Sequence, residues 1–422
     1  MNVTVIPNRA LSVEISAPSS KAQTHRALVA GLLSDGTTKI TNPLSCDDTE
    51  ATANAVSTLG AKIVRDVRTW TVQSAGSPSH PVREIHCGES GVTLRFMIPI
   101  VSLTGGKVVV KARERLMRRP LEPLAKAMGQ LGVRVTLDGD LVDVEGGPPK
   151  GGTVHIRGDV SSQFISGLLF AGPLMKDGLG LELTSPLESR HYVTLTIETM
   201  KQHGIKVQSN KKMSHFEILP SQRYCPAVHR ISGDYSSAAF ALSAAAITNS
   251  KVLVRNLTRT KAEPDAVLVE ILSQMGAEAT IVEDGVLVYG GRLKATDINL
   301  RDSPDLGPVT AVLGCYAEGE TRISGAARLR YKESDRLAAI TSELSSLGAS
   351  IIETEDGLIL RGPSSLSGGI VRSHGDHRIA MALSVAALGA NGNVVIEGAE
   401  CVSKSYPNFF DDLRSLGVGI VG

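Results

Sequence analysis

STLGAKIV, Ser57 to Val64, is one of six places where a Gly-terminated helix end runs straight into a strand. The others are GQLGVRVT at Gly129, KQHGIKVQ at Lys201, SQMGAEAT at Ser273, SSLGASII at Ser345 and RSLGVGIV at Arg414. Their glycines, Gly60, Gly132, Gly204, Gly276, Gly348 and Gly417, are separated by 72, 72, 72, 72 and 69 residues. So constant a period marks an internal repeat in which each unit is one supersecondary element. Each glycine stands where a helix C-terminus requires a left-handed residue, and the apolar alternation after it reads as a strand.

Working outward from the glycines completes the unit. Asp138-Gly139, Asp284-Gly285 and Asp356-Gly357 signal tight hairpins downstream. Upstream lie stretches apolar on almost every side, such as Ala27 to Leu33, Phe164 to Phe170, Ala238 to Ile247 and Ile379 to Leu388. A helix apolar all round must be buried. Short strands follow them, as in KVVV at Lys107, KVLV at Lys251 and NVVI at Asn393. Each unit therefore reads strand, buried helix, strand, amphipathic helix, hairpin. The expected class is α/β, with three units in each of two domains.

The last unit ends at Gly422 with one strand after its glycine, whereas VTVIP at Val3 to Pro7 is a strand without a unit. The N-terminus is expected to complete the sixth unit and make one domain discontinuous. The domains are then residues 1–18 with 232–422, and residues 19–231, with crossovers near Pro18 and Ser232. A length of 422 residues agrees with two cores.

Composition narrows the function. The 44 Lys and Arg balance 43 Asp and Glu, so no global basic field exists for nucleic acid, and aromatics are only 4% of residues. The N-terminus lacks a signal pattern, and no run of about 18 apolar residues suits a membrane span. The five cysteines are far apart and unpaired in spacing. A cytoplasmic monomer with neither nucleic acid nor membrane as partner is expected. The histidines form no H-x-x-x-H pair, so no metal and no cofactor is expected. GVGIVG at the C-terminus matches a dinucleotide fingerprint by letter only, since no helix follows it.

The segments entering the buried helices are polar: PSSKAQTHR at Pro18, CGESGVTLR at Cys87, GDVSSQF at Gly158, GDYSSAAF at Gly233, SPDLGP at Ser303 and GDHRIAM at Gly375. Ser20, Gly91, Ser162, Asp234, Asp305 and Asp376 fall at one point of the repeat, 71 or 72 residues apart. Helix N-termini carry free N–H groups and partial positive charge, and so suit anions. Ordinary N-capping accounts for the Ser and Asp residues. It does not account for Lys21, Arg26, Arg95, His377 and Arg378, because a cation on an apolar buried helix is costly unless paired or liganded. A second polar set, CDDTE at Cys46, RLMRRP at Arg115, ESRHY at Glu188, RYKESDR at Arg330 and SKSYP at Ser403, precedes the amphipathic helices. Lys332 and Arg336, four apart, would share a helix face. Cations divided between two domains suggest closure driven by an anionic ligand.

Taken in order, SKAQTHR at Ser20, GESGVTLR at Gly88, RLMRRP, SSQF at Ser161, ESRHY, PD at Pro304, YKESDR at Tyr331, GDHR at Gly375 and SKSYP resemble the successive motifs of the 5-enolpyruvylshikimate-3-phosphate synthase family. The resemblance runs from Ser20 to Pro407. It implies two domains of three βαβαββ units, the inside-out α/β barrel of enolpyruvyl transferases, with the active site in the interdomain cleft. It also implies the substrates phosphoenolpyruvate and shikimate 3-phosphate, and addition followed by elimination through a tetrahedral intermediate.

By the same resemblance, Lys21, Arg26, Ser161, Ser162, Gln163, Ser189, Tyr192, Asp305 and Lys332 hold shikimate 3-phosphate. Lys21, Gly91, Arg115, Gln163, Arg336, Arg378 and Lys404 surround phosphoenolpyruvate, supported by His377 and Asp376. Asp305 is the base towards the 5-hydroxyl, and Glu333 or Lys21 the proton donor to C3. The chain departs from the family at Ala22, where a Ser is usual, with Thr24 as a candidate replacement, and at Arg328, where an Asn often binds the shikimate phosphate. The alternatives are the sister enzyme acting on UDP-N-acetylglucosamine, which typically carries a Cys in a loop where this chain has only cations, and a non-catalytic repeat-built binding protein. The latter would need a basic stripe that is absent here.

Overall fold

The structure, a computed structural model, describes residues 1–11, 14–258, 263 and 265–422. By its internal contacts the chain divides into two compact units, one made of Met1–Pro18 with Ser232–Gly422 and the other of Ser19–Ile231. Each holds three four-stranded sheets and its own apolar core.

All six repeat glycines have positive φ, between 79° and 101°. That is the left-handed turn which ends the outer helix and releases the chain into a hairpin. Within a repeat the first two strands pair in parallel across the buried helix, and the last two form an antiparallel hairpin laid against the second strand. The fifth repeat shows the pattern: Asp297–Asn299 beside Gly319–Ser324, then Leu358–Gly362, then Ser350–Glu353.

Three repeats, the sixth, first and fourth, depart from sequential pairing. Strand Asn2–Ile6 lies antiparallel between Val394–Glu397 and Gly419–Val421, so the chain's start supplies the hairpin strand that the last repeat lacks. The short strands that precede the first and fourth buried helices are exchanged. Glu14–Ser16 pairs with Lys251–Arg255, and Val228–Arg230 pairs with Asp35–Thr41.

The buried helices are Lys21–Leu33, Gly91–Ser102 and Ser162–Ala171 in the second unit, and Tyr235–Ile247, Gly307–Tyr316 and His377–Leu388 in the first. They are buried because no face of them is polar. Close approach between helices requires small residues: a Cβ on Gly167 would lie 2.7 Å from the Arg95 carbonyl, so only glycine lets helices Gly91–Ser102 and Ser162–Ala171 meet there. Phe96 and Phe170 then pack edge to face at 5.5 Å.

Ser20, Ser90, Ser161, Asp234 and Asp376 cap their helices through side-chain oxygens. Gly91 and Ser162 therefore stand one residue inside the helix rather than at the cap. Asp305 caps nothing: it lies in a 3-10 turn, Pro304–Leu306, ahead of helix Gly307–Tyr316. Its carboxylate is left for side chains.

Candidate functional site

In the second unit, residues from several helix starts meet. Lys21 Nζ donates to Asp48 Oδ2 at 2.8 Å, which joins helix Lys21–Leu33 to the outer helix Asp47–Thr58. Arg26, 2% exposed, donates to Thr196 Oγ1 (2.8 Å), the Ala22 carbonyl (2.9 Å) and the Tyr192 carbonyl (2.9 Å), beneath the rings of Phe96 and Tyr192. Burial among neutral oxygens pushes its guanidinium down to about 10, still fully charged at neutral pH. Arg95 Nη1 donates to Gln163 Oε1 at 2.8 Å, tying the second repeat to the third. Ser189, buried, adopts a left-handed backbone, φ 53°, at the start of helix Arg190–Gln202, a conformation costly for a residue with a Cβ.

Gly91 faces two guanidinium groups. A Cβ there would lie 3.1 Å from Arg95 Nη1 and 3.4 Å from Arg119 Nη1. The loop after the second strand thus brings Arg119, itself buried, to Gly91, whereas Arg115 is exposed. The resemblance gives this role to Arg115, whereas the side chain that lies beside Gly91 is Arg119. Thr24 does not stand in for the Ser missing at position 22: it is wholly buried, with its hydroxyl bonded to the Ser20 carbonyl and the Leu44 N–H.

In the first unit the arrangement is ionic. Asp305 Oδ1 accepts from Arg336 Nη1 (2.8 Å) and Lys332 Nζ (3.2 Å), while Arg378 Nη2 lies 3.4 Å from Oδ2. Arg336 Nε bonds Asp376 Oδ2 at 2.8 Å, and Nη2 bonds Glu333 Oε2 at 2.7 Å. Lys404 Nζ approaches Glu333 Oε1 at 3.8 Å. Buried His377 has Nδ1 3.6 Å from Asp376 Oδ1. Arg328 donates to the Arg301 carbonyl at 2.7 Å.

Lys332 and Arg336 do not share a helix face. The outer helix starts at Arg336, capped by Asp335, and Lys332 ends the 3-10 turn Ala327–Tyr331. The two converge because both reach Asp305. Asp376 was legible as a cap but not as the partner of Arg336, since a contact across 40 residues leaves no local pattern.

Burial opposes ionisation of Asp305, but the Arg378, Lys332 and Arg336 charges outweigh it and hold its carboxyl well below the usual range. Burial lowers Lys332, against the pull of Asp305. Asp265 behaves oppositely: burial, then the Asp305 charge, raises it to about 6. Among the described residues, no cluster of three or more His, Cys, Asp and Glu side chains could hold a metal ion. No described helix is long and apolar enough to cross a membrane.

The family described as EPSP synthase (3-phosphoshikimate 1-carboxyvinyltransferase) matches residues 5–413. Curated relatives named 3-phosphoshikimate 1-carboxyvinyltransferase include one from Methanocorpusculum labreanum, 40% identical over 416 residues and covering 98% of each chain. Another, from Clostridium beijerinckii, is 38% identical over 426 residues, covering 99% of this chain and 97% of its own. An EPSP synthase structure from Acinetobacter baumannii superposes with a TM-score of 0.84 at 27% identity, covering all of both chains.

Proposed function

The chain belongs to the EPSP synthase family, and on that premise we propose that it transfers the enolpyruvyl group of phosphoenolpyruvate to the 5-hydroxyl of shikimate 3-phosphate, releasing phosphate. This is the carboxyvinyl transfer of the shikimate pathway, on the route to aromatic amino acids. The convergence of Lys332, Arg336 and Arg378 on Asp305 carries the assignment of roles.

In the addition step the 5-oxygen bonds to C2 of phosphoenolpyruvate, its proton passes to Asp305, and C3 gains a proton. In the elimination step the C2–O bond to phosphate breaks and C3 loses a proton. Asp305 is a weak base while three cations hold it ionised. Anionic substrate on Arg336 and Arg378 offsets those charges and raises its basicity when the hydroxyl is in place. Lys21, held by Asp48, is the donor to C3. Glu333, between Arg336 and Lys404, accepts the proton in elimination.

Arg26, Ser161, Ser162, Gln163, Ser189 and Tyr192 hold shikimate 3-phosphate. Gly91, Arg336, Arg378 and Lys404 hold phosphoenolpyruvate, with Arg119 in the role first given to Arg115. The test is phosphate release from phosphoenolpyruvate with shikimate 3-phosphate or UDP-N-acetylglucosamine as acceptor, with product masses recorded. An adduct with shikimate 3-phosphate alone is expected; an adduct with the sugar nucleotide alone, or with neither, would overturn the reading.

A further inference from the structure

Beneath the Lys21–Asp48 ion pair lies a second link between the same two helices, one turn deeper. His25 follows Lys21 by four residues, Thr52 follows Asp48 by four, and His25 Nδ1 lies 2.7 Å from Thr52 Oγ1. The link continues. Thr52 Oγ1 is 2.6 Å from Thr93 Oγ1, which is 2.7 Å from the hydroxyl of Ser90, the cap of helix Gly91–Ser102. His25, Thr52 and Thr93 have no exposed surface, and Ser90 is 1% exposed. Four side chains thus fasten the second turns of two helices to the first turn of a third, and they end at the residue before Gly91.

The chain is neutral and directional. Each hydroxyl has one hydrogen, so when His25 Nδ1 accepts from Thr52, Thr93 must donate to Thr52 and Ser90 to Thr93, and the chain runs in one sense towards the ring. Burial, and then the charges of Lys21 and Arg26, keep His25 uncharged. Its Nε2 has no partner among the described residues, a cost in free energy that packing alone does not require of this position.

We infer that His25, Thr52 and Thr93 are positioning residues for phosphoenolpyruvate. Their hydrogen-bond chain holds the Ser90–Gly91 entry turn in register with Lys21 on the neighbouring helix. The inference rests on the assignment of Gly91 and Lys21 to phosphoenolpyruvate. Replacing Thr93 by Val keeps the shape but leaves the hydroxyls of Thr52 and Ser90 without their shared partner, so the turn loosens while the shikimate 3-phosphate residues keep theirs.

The test compares wild type, Thr93→Val and Thr93→Ser in steady-state assays with both substrates. Thr93→Val should raise KM for phosphoenolpyruvate about tenfold, with a smaller change in kcat and in KM for shikimate 3-phosphate, and Thr93→Ser should restore it. A fall in melting temperature with both KM values unchanged, or both KM values rising together, would reduce the chain to a structural role and overturn the inference. A measurement on the wild type needs no variant to fold. In 15N spectra of histidine-labelled protein, the His25 ring should stay neutral between pH 5 and 8 and its Nδ1 signal should move on adding phosphoenolpyruvate, but not on adding shikimate 3-phosphate. An Nδ1 signal indifferent to phosphoenolpyruvate would overturn it. If the wild type itself transfers no enolpyruvyl group, the functional reading fails instead, so the two failures are distinguishable.

Discussion

Arg336 and Arg26 are both almost wholly buried, 1% and 2% exposed, yet their surroundings are opposite. Arg336 touches three carboxylates, Asp305, Glu333 and Asp376. Burial opposes its charge, but these anions outweigh the cost and hold the guanidinium above its ordinary range. Among the described residues, the hydrogen bonds of Arg26 end on a hydroxyl and two carbonyls. A cation among its own carboxylates organises those carboxylates as well as meeting substrate. A cation solvated only by dipoles keeps its field for an anion that arrives later.

The largest effect should come from removing the organiser. Arg336→Met leaves Asp305, Glu333 and Asp376 to repel one another, and should cost about 3–5 kcal/mol of stability together with nearly all activity. Chemical denaturation measures the first, and wild-type stability in the variant would break the contrast. Arg26→Met should act mainly on binding. The loss of one charged contact, about 2 kcal/mol, raises KM for shikimate 3-phosphate roughly 30-fold. Arg26→Lys should not restore it, since one ammonium cannot serve three separate acceptors.

Acid should also divide the units. In the second, His203 Nδ1 faces the Cys225 carbonyl at 2.7 Å and must donate to it, so His203 Nε2 accepts from His229 Nε2 at 2.7 Å. Burial pushes both rings down to about 4. Their folded values lie below the unfolded value, so the unfolded chain binds more protons between about pH 6.5 and 4, and stability falls as pH falls through that window, by about 1.4 kcal/mol per pH unit per proton. In the first unit Asp265, raised to about 6, has the opposite sign: its folded form holds the proton longer, so acidification from about 6 to 4 stabilises. Asp305, held low, changes nothing in that window and gives up its contribution only as the pH drops further. Hydrogen exchange at pH 7 and 5, corrected for intrinsic rates, should show the second unit loosening relative to the first; a uniform change would contradict the assignment.

The smallest effect concerns Gly91. Ala is conformationally acceptable there, but its Cβ presses on the guanidinium ends of Arg95 and Arg119. Flexible ends can yield, so Gly91→Ala should raise KM for phosphoenolpyruvate about fivefold, roughly 1 kcal/mol, and leave shikimate 3-phosphate nearly unaffected. An equal rise in both KM values would count against a phosphoenolpyruvate site at Gly91.

Much of this was legible in the sequence because it repeats. A glycine forced to positive φ every 69 to 72 residues is visible six times over, and the all-apolar helices between can only be inside. The cations stood out because they interrupt those helices. What stayed hidden lies between distant residues. Glu14–Ser16 and Val228–Arg230 are three-residue strands too short to carry a pattern, so their exchanged partners are a choice of tertiary structure. The convergence on Asp305 joins segments 27 and 31 residues away, and the link from His25 to Ser90 crosses three helices through residues that read as ordinary helix formers.

Rapid-quench analysis of a single turnover, with Asp305→Asn beside the wild type, bears most directly on the proposed chemistry. The amide keeps the size of the side chain but cannot take the 5-hydroxyl proton. With both substrates saturating, the tetrahedral adduct should form about a thousandfold more slowly than in the wild type. Adduct formation within about tenfold of the wild-type rate would show that the 5-hydroxyl loses its proton elsewhere, and the role given to Asp305 would be wrong.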